Sequence, residues 1–209
     1  KDARALLATI ESLEVSEVPQ LGTMLRPGMS GFMHEGGRRW QFNPSYLPIP
    51  VLRRLANLSP QGPWSRIAAN TLALVSQASA ARGLAPDWIA YVADAQSQNW
   101  SFEPHPDKGS TGSYDAIRVY LWAGTTAPDD PLATPMRKAL RGLMDILKHT
   151  GTLPESVDAN SGEARGTAPF GFHAALLPYL QASGAPASLM QAQRQHVDQA
   201  LTRALDPAT

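Results

Sequence analysis

Cysteine is absent from the 209 residues, which excludes disulfides, a thiol nucleophile and thiolate zinc sites, and fits either the cytoplasm or a periplasmic protein that avoids mispairing. Net charge is missing too. Eighteen Lys and Arg balance eighteen Asp and Glu, so neither a nucleic-acid groove nor a polybasic membrane surface is indicated. No apolar run approaches the roughly 20 residues that span a bilayer, so membrane insertion is not expected. The opening Lys1-Asp2-Ala3-Arg4 reads neither as a signal peptide nor as an initiating Met, and the chain is expected to be soluble and processed or cropped. The five histidines, His34, His105, His149, His173 and His196, include no pair at close helical spacing, so metal catalysis has no support. A Gly-Xaa-Ser-Xaa-Gly elbow, a phosphate-cradling loop and a dinucleotide fingerprint are also lacking, and no cofactor is expected.

What the chain does have is helical periodicity interrupted by Gly and Pro. Its length suits one domain with a substantial core. Ala3, Leu6, Leu7, Ile10 and Leu13 recur at helical spacing, and the glycines and prolines between Leu21 and Trp40 predict a long loop or short strands. A short helix is expected through Val51, Leu52 and Leu55, a clearer one over Ser65–Ala81, and a short element over Asp87–Tyr91. Gln96–Thr111 reads as polar and turn-rich. Ser113 is placed to cap a helix from Tyr114 to about Trp122. Pro131–His149 has the strongest helical pattern, ended by Gly151, and helices over Phe172–Ala182 and Ala187–Leu205 follow. Few period-2 runs occur, so the pattern predicts an all-α fold.

One segment concentrates chemistry. Ser113-Tyr114-Asp115-Ala116-Ile117-Arg118 puts a carboxylate in the first turn of a helix and an arginine three residues later on the same face. The helix N-terminus and the cation both favour the ionised carboxylate that a base requires. From the residues alone, an ordinary first-turn ion pair explains the pattern equally well. The five tryptophans, Trp40, Trp64, Trp88, Trp100 and Trp122, read mostly as core, with Trp88 the best placed for sugar stacking and Trp122 a core residue.

Tyr114-Asp115-Ala116-Ile117-Arg118-Val119-Tyr120-Leu121-Trp122 resembles the segment around the catalytic base of glycoside hydrolase family 8. Asn43-Pro44-Ser45-Tyr46 and Pro86-Asp87-Trp88 resemble two further family segments in the same order and spacing. Pro19–Gly28 and Gly166–Phe172 look like the branch encoded beside bacterial cellulose synthases. The resemblance implies an (α/α)6 toroid, of which residues 1–209 form the C-terminal part of a single catalytic domain. It also implies an inverting endo-β-1,4-glucanase acting on cellulose or cello-oligosaccharides, with Asp115 as general base and Tyr114, Arg118, Tyr46 and Trp88 as substrate-binding residues.

The family's general acid is a Glu in the N-terminal third, expected before Lys1, so this chain alone is expected to be inactive. Glu35, Glu103, Glu155 and Glu163 match no acid motif and read as solvated loop residues. A periplasmic or secreted location and an association with the cellulose synthase machinery are inherited from the resemblance. A noncatalytic glucan-binding or scaffolding fragment, and a related chitosanase or xylanase, stay open as alternatives.

Overall fold

The computed structural model describes residues 2–205. The chain opens with α1 (Asp2–Leu13), whose acidic first residue complements the helix dipole. Its Leu7 and Ile10 pack toward the core while Leu6 and Leu13 face outward. The glycine- and proline-rich stretch that follows is built of strands. Strands β1 (Val15–Val18) and β2 (Gly22–Leu25) form an antiparallel hairpin with Val18 opposite Gly22. Gln20 and Gly22 turn it with positive φ. Strands β3 (Met33–His34), β4 (Arg39–Phe42), β5 (Ile89–Ala93) and β6 (Trp100–Pro104) then form a four-stranded antiparallel sheet in that order. Trp40 and Phe42 of β4 point into the core on alternate positions.

The all-α expectation is therefore corrected. The described residues combine eight α-helices with nine short strands in three sheets. The reason is local: the short runs around Trp40, Tyr91 and Phe102 bury aromatic side chains against one another across neighbouring strands, a gain that helical periodicity does not register. The stretch 96–111, expected to be turns, contains β6 and the start of the third sheet. That sheet is formed by β7 (Thr111–Gly112), β8 (Ser156–Asp158) and β9 (Ala164–Arg165).

Between β4 and β5 lie α2 (Ile49–Leu58) and α3 (Trp64–Ala78). Trp64, Ile67, Leu74 and Val75 of α3 are buried with Leu52 of α2. After β7 come α4 (Ala116–Thr125), α5 (Ala133–Ala139) and α6 (Gly142–Thr150). The single helix predicted over Pro131–His149 is broken between α5 and α6. Gly142 donates its N–H to the Gly83 carbonyl at 2.9 Å, and a Cβ there would lie 2.1 Å from the Arg82 carbonyl oxygen. The chain bends to make this backbone contact. Carbonyls freed at the break are taken up by side chains: Ser79 donates to Ala139 at 3.0 Å and Tyr179 to Leu140 at 3.1 Å. Gly151 ends α6 in the left-handed conformation, as its position predicts.

The last two helices are α7 (Phe170–Ala182), which begins two residues before its predicted start, and α8 (Ala187–Leu205), as predicted. The packing of α4 against α7 is close enough that Gly124 abuts the backbone at Pro178–Tyr179. No described helix is long and apolar enough to cross a membrane.

Candidate functional site

Asp115 lies at the N-terminal boundary of α4, just before Ala116, with helical φ −84° and ψ −47°. The predicted cap is corrected: Ser113 does not cap this helix. Its hydroxyl turns away and donates to the Glu155 carbonyl at 2.7 Å. The capping acceptor comes from another part of the chain. One Asp87 carboxylate oxygen accepts the N–H groups of Ser113 (2.8 Å), Asp115 (3.1 Å) and Ala116 (2.7 Å). Asp87 is itself tied to β7 by its N–H donating to Thr111 at 2.8 Å. Burial pushes the Asp87 carboxyl above the usual carboxylate range. The N–H groups of Ser113 and Ala116 pull the other way, and the charge of Asp115 adds to the rise.

The Asp115 carboxylate is held at both oxygens. Arg118 donates to Oδ1 from three residues along α4. Asn43 donates its amide N–H to Oδ2 at 2.8 Å. The Asn43 amide has a fixed orientation, because its oxygen accepts both the Ser45 N–H at 3.0 Å and the Ser45 hydroxyl at 2.7 Å. Arg118 in turn donates to the Ser45 oxygen at 3.0 Å, and the Trp122 indole donates to the Ser45 carbonyl at 2.9 Å. Trp122, expected in the core, is only half-buried and braces this turn. With 25% of the Asp115 side chain and 40% of the Arg118 side chain exposed, water reaches the carboxylate. An ion pair this open adds under about 1 kcal/mol to stability; what it does is fix direction.

Tyr114 is 56% exposed. Its hydroxyl donates to Glu155 Oε1 at 2.9 Å, and its ring meets Phe172 edge-on at 4.9 Å. The bond to Glu155, reinforced by that group's charge, raises the pKa of the phenol. Glu155 is accordingly not the solvated loop residue expected: it is half-buried and paired with Tyr114. Glu35, Glu103 and Glu163 are exposed, as their sequence context suggests.

Tyr46 ends the short 3-10 turn Pro44–Tyr46, so the segment that holds Asp115 through Asn43 also presents this ring, 45% exposed. Trp88 lies beside it: the rings meet edge-on at 5.9 Å. Phe32 stacks on Trp88 at 5.9 Å and His105 meets it edge-on at 5.7 Å. Thus Asp115, Tyr114 and Arg118 share one helix start, Tyr46 joins them through Asn43 and Ser45, and Trp88 joins Tyr46. Asn43, Ser45, Asp87 and Glu155 are the contributors that sequence reasoning passed over. Asn43 and Asp87 stand inside the two segments quoted for the family resemblance, which was the available signal. Among the described residues no group of three or more His, Asp or Glu is arranged to hold a metal ion.

A carboxylate locked at both oxygens yet open to water can take a proton from that water, and exposed aromatic rings beside it suit the apolar face of a sugar. Comparison with known proteins identifies the family. The sequence profile of glycosyl hydrolases family 8 matches residues 2–202, and the chain belongs to that family. It is 47% identical over 197 residues to an endoglucanase of Xanthomonas axonopodis pv. citri (strain 306), covering 94% of this chain and 49% of the relative. It is 37% identical over 193 residues to an endoglucanase of Escherichia coli (strain K12), covering 92% of this chain and 49% of the relative. Among solved structures, the endo-1,4-D-glucanase from Vibrio fischeri ES114 superposes with a TM-score of 0.82 at 27% identity, over 94% of this chain and 55% of that one. The chain spans about half the length of these relatives.

Proposed function

We propose that the protein is an inverting endo-β-1,4-glucanase in which Asp115 is the general base. The observation that carries the reading is the Asp115 carboxylate, held by Arg118 and Asn43 and exposed to water, in a chain of a glycosidase family. Inversion needs a second carboxyl on the opposite face of the sugar, about 6.5 to 9.5 Å away, to protonate the departing oxygen while the base activates water. That proton donor is a glutamate supplied from outside the 209 residues, and the chain is the C-terminal part of an (α/α)6 toroid. The named relatives, two endoglucanases and an endo-1,4-D-glucanase, support a 1,4-linked glucan as substrate. Tyr114 and Arg118 sit where they orient water or a sugar hydroxyl beside Asp115; Tyr46 and Trp88 offer ring faces and edges along the path of the chain. A periplasmic or secreted location, and action alongside cellulose synthesis, complete the reading.

The test is hydrolysis of a soluble cello-oligosaccharide by the complete protein, with the first-formed anomer followed by proton NMR. The reading predicts new reducing ends that appear first as the α-anomer. First formation of the β-anomer contradicts inversion, and absence of cleavage by a folded, complete protein contradicts the glucanase reading. Faster cleavage of a chitosan or xylan oligomer reassigns the substrate.

A further inference from the structure

Aspartate is among the preferred residues at a helix N-cap, where its carboxylate ordinarily folds back onto the N–H groups of the first turn. Asp115 occupies that position on α4 and makes no such bond among the described residues. The first-turn donors show why. Ile117 donates to the Ser113 carbonyl and Arg118 to the Asp115 carbonyl, both at 3.0 Å. The N–H groups of Ser113, Asp115 and Ala116 all converge on one oxygen of Asp87. The N–H groups that the Asp115 carboxylate would ordinarily cap, those of Ile117 and Arg118, are thus already paired. Its carboxylate therefore projects away from its own helix to Arg118 and Asn43. Asp87 has little freedom of its own, since its backbone is pinned to β7 one residue before Gly112 and two before Ser113.

We propose that Asp87 is a positioning residue: by gathering the N–H groups of Ser113, Asp115 and Ala116 on one oxygen, it fixes the backbone at the start of α4 and so aims the Asp115 carboxylate into the site. This rests on the reading of Asp115 as the base. Loss of Asp87 leaves three N–H groups without their acceptor and frees the turn that carries the Asp115 carboxylate. Movement of that turn would withdraw it from the water it must activate, and a displacement of about 1 Å costs on the order of 100-fold in rate. Asparagine keeps an acceptor oxygen at the same place and should retain much of the aim.

The experiment compares Asp87→Ala, Asp87→Asn and Asp115→Asn in the complete protein for kcat and KM. The amide resonances of Ser113, Asp115 and Ala116 are followed in parallel in the same complete protein. Asp87→Ala is expected to lower kcat about 10- to 100-fold with KM within about 2-fold, and to shift all three amides upfield; Asp87→Asn should recover most of both. A merely stabilising cap would lower the urea midpoint and leave kcat unchanged in folded protein, which overturns the proposal. Should Asp87→Ala fail to fold, full loss of turnover in a folded Asp87→Asn that keeps the three amide shifts also overturns it, because then charge and not the cap is what matters. If Asp115→Asn retains turnover, the base reading itself falls. If Asp115→Asn is dead while Asp87→Ala is fully active, only the positioning role falls.

Discussion

Replacing Gly124 by alanine should damage the protein, although alanine is the better helix former. Gly124 lies in α4, and a Cβ there would sit 2.2 Å from the Tyr179 nitrogen, 2.4 Å from the Pro178 carbonyl carbon and 2.5 Å from the Tyr179 Cα. All three are backbone atoms of α7, in the turn that Pro178 already deprives of one helical hydrogen bond. Comfortable carbon contacts need about 3.5 Å or more, so the two helices must separate by roughly 1 Å. Overpacking costs about 1–3 kcal/mol, and with backbone on both sides the upper end applies. The helical preference for alanine returns up to about 1 kcal/mol. The net expectation is a loss of about 2 kcal/mol, or a fall in Tm of about 4–8 °C for a chain of this size. Gly171→Ala is the control: it lies in α7 with nothing within 4 Å of the added Cβ, and should be neutral or stabilising. Urea and thermal unfolding of both variants decide the matter. An unchanged or raised Tm in Gly124→Ala would refute the close backbone approach of α4 and α7.

Asn43→Ala removes the donor to Asp115 and the acceptor for Ser45 in a buried turn, and should cost about 2 kcal/mol in urea unfolding; a change below about 0.5 kcal/mol would contradict the network. The Ser110 hydroxyl, followed by the Ser161 N–H, holds the Asp158 carboxyl at about 2, below its reference of 3.8. The depressed value means its stabilisation is present above about pH 4 and is lost as pH falls through about 2. The deficit of Asp158→Asn, expected to be under about 1 kcal/mol after solvent screening, should therefore shrink across that window. A deficit independent of pH would disprove the linkage. Burial lowers the pKa of His173, against the bond its ring donates to the Gln193 amide oxygen and with added repulsion from the stacked His196. Stability from the neutral ring is present above 6.5 and lost as pH falls below it, so the Tm difference between about pH 7.5 and about pH 5.5 should narrow in His173→Phe. An equal difference in both proteins would exclude His173 as its source.

Helices with an uninterrupted apolar stripe were legible in the sequence: α1, α3, α7 and α8 fall near their expected spans. The break between α5 and α6 was not, because its cause is the approach of Arg82–Gly83, some 60 residues away in sequence, to Gly142. Short strands were one of two readings for the stretch holding β3 and the start of β4, but β5 and β6 escaped notice since each is only five residues long and their pairing joins residues near 40, 90 and 102. At the site, Tyr114, Asp115 and Arg118 lie within five residues of one another, and their grouping was legible in the sequence. What holds them is nonlocal: Asp87 reaches α4 across 26 to 29 residues, Glu155 meets Tyr114 across 41, and Asn43 meets Asp115 across 72. Local pattern therefore suggested Ser113 as the cap, the acceptor nearest in sequence, where the structure uses Asp87.

The most direct test of the account is turnover of a soluble β-1,4-glucan by Asp115→Asn in the complete protein, with cello-oligosaccharide binding and helical circular dichroism measured on the same preparation. An amide cannot take the proton from water, so kcat should fall by about 100- to 10,000-fold while fold and binding persist. Near-normal turnover by the folded variant would remove Asp115 from the role of base and, with it, the mechanism built around it.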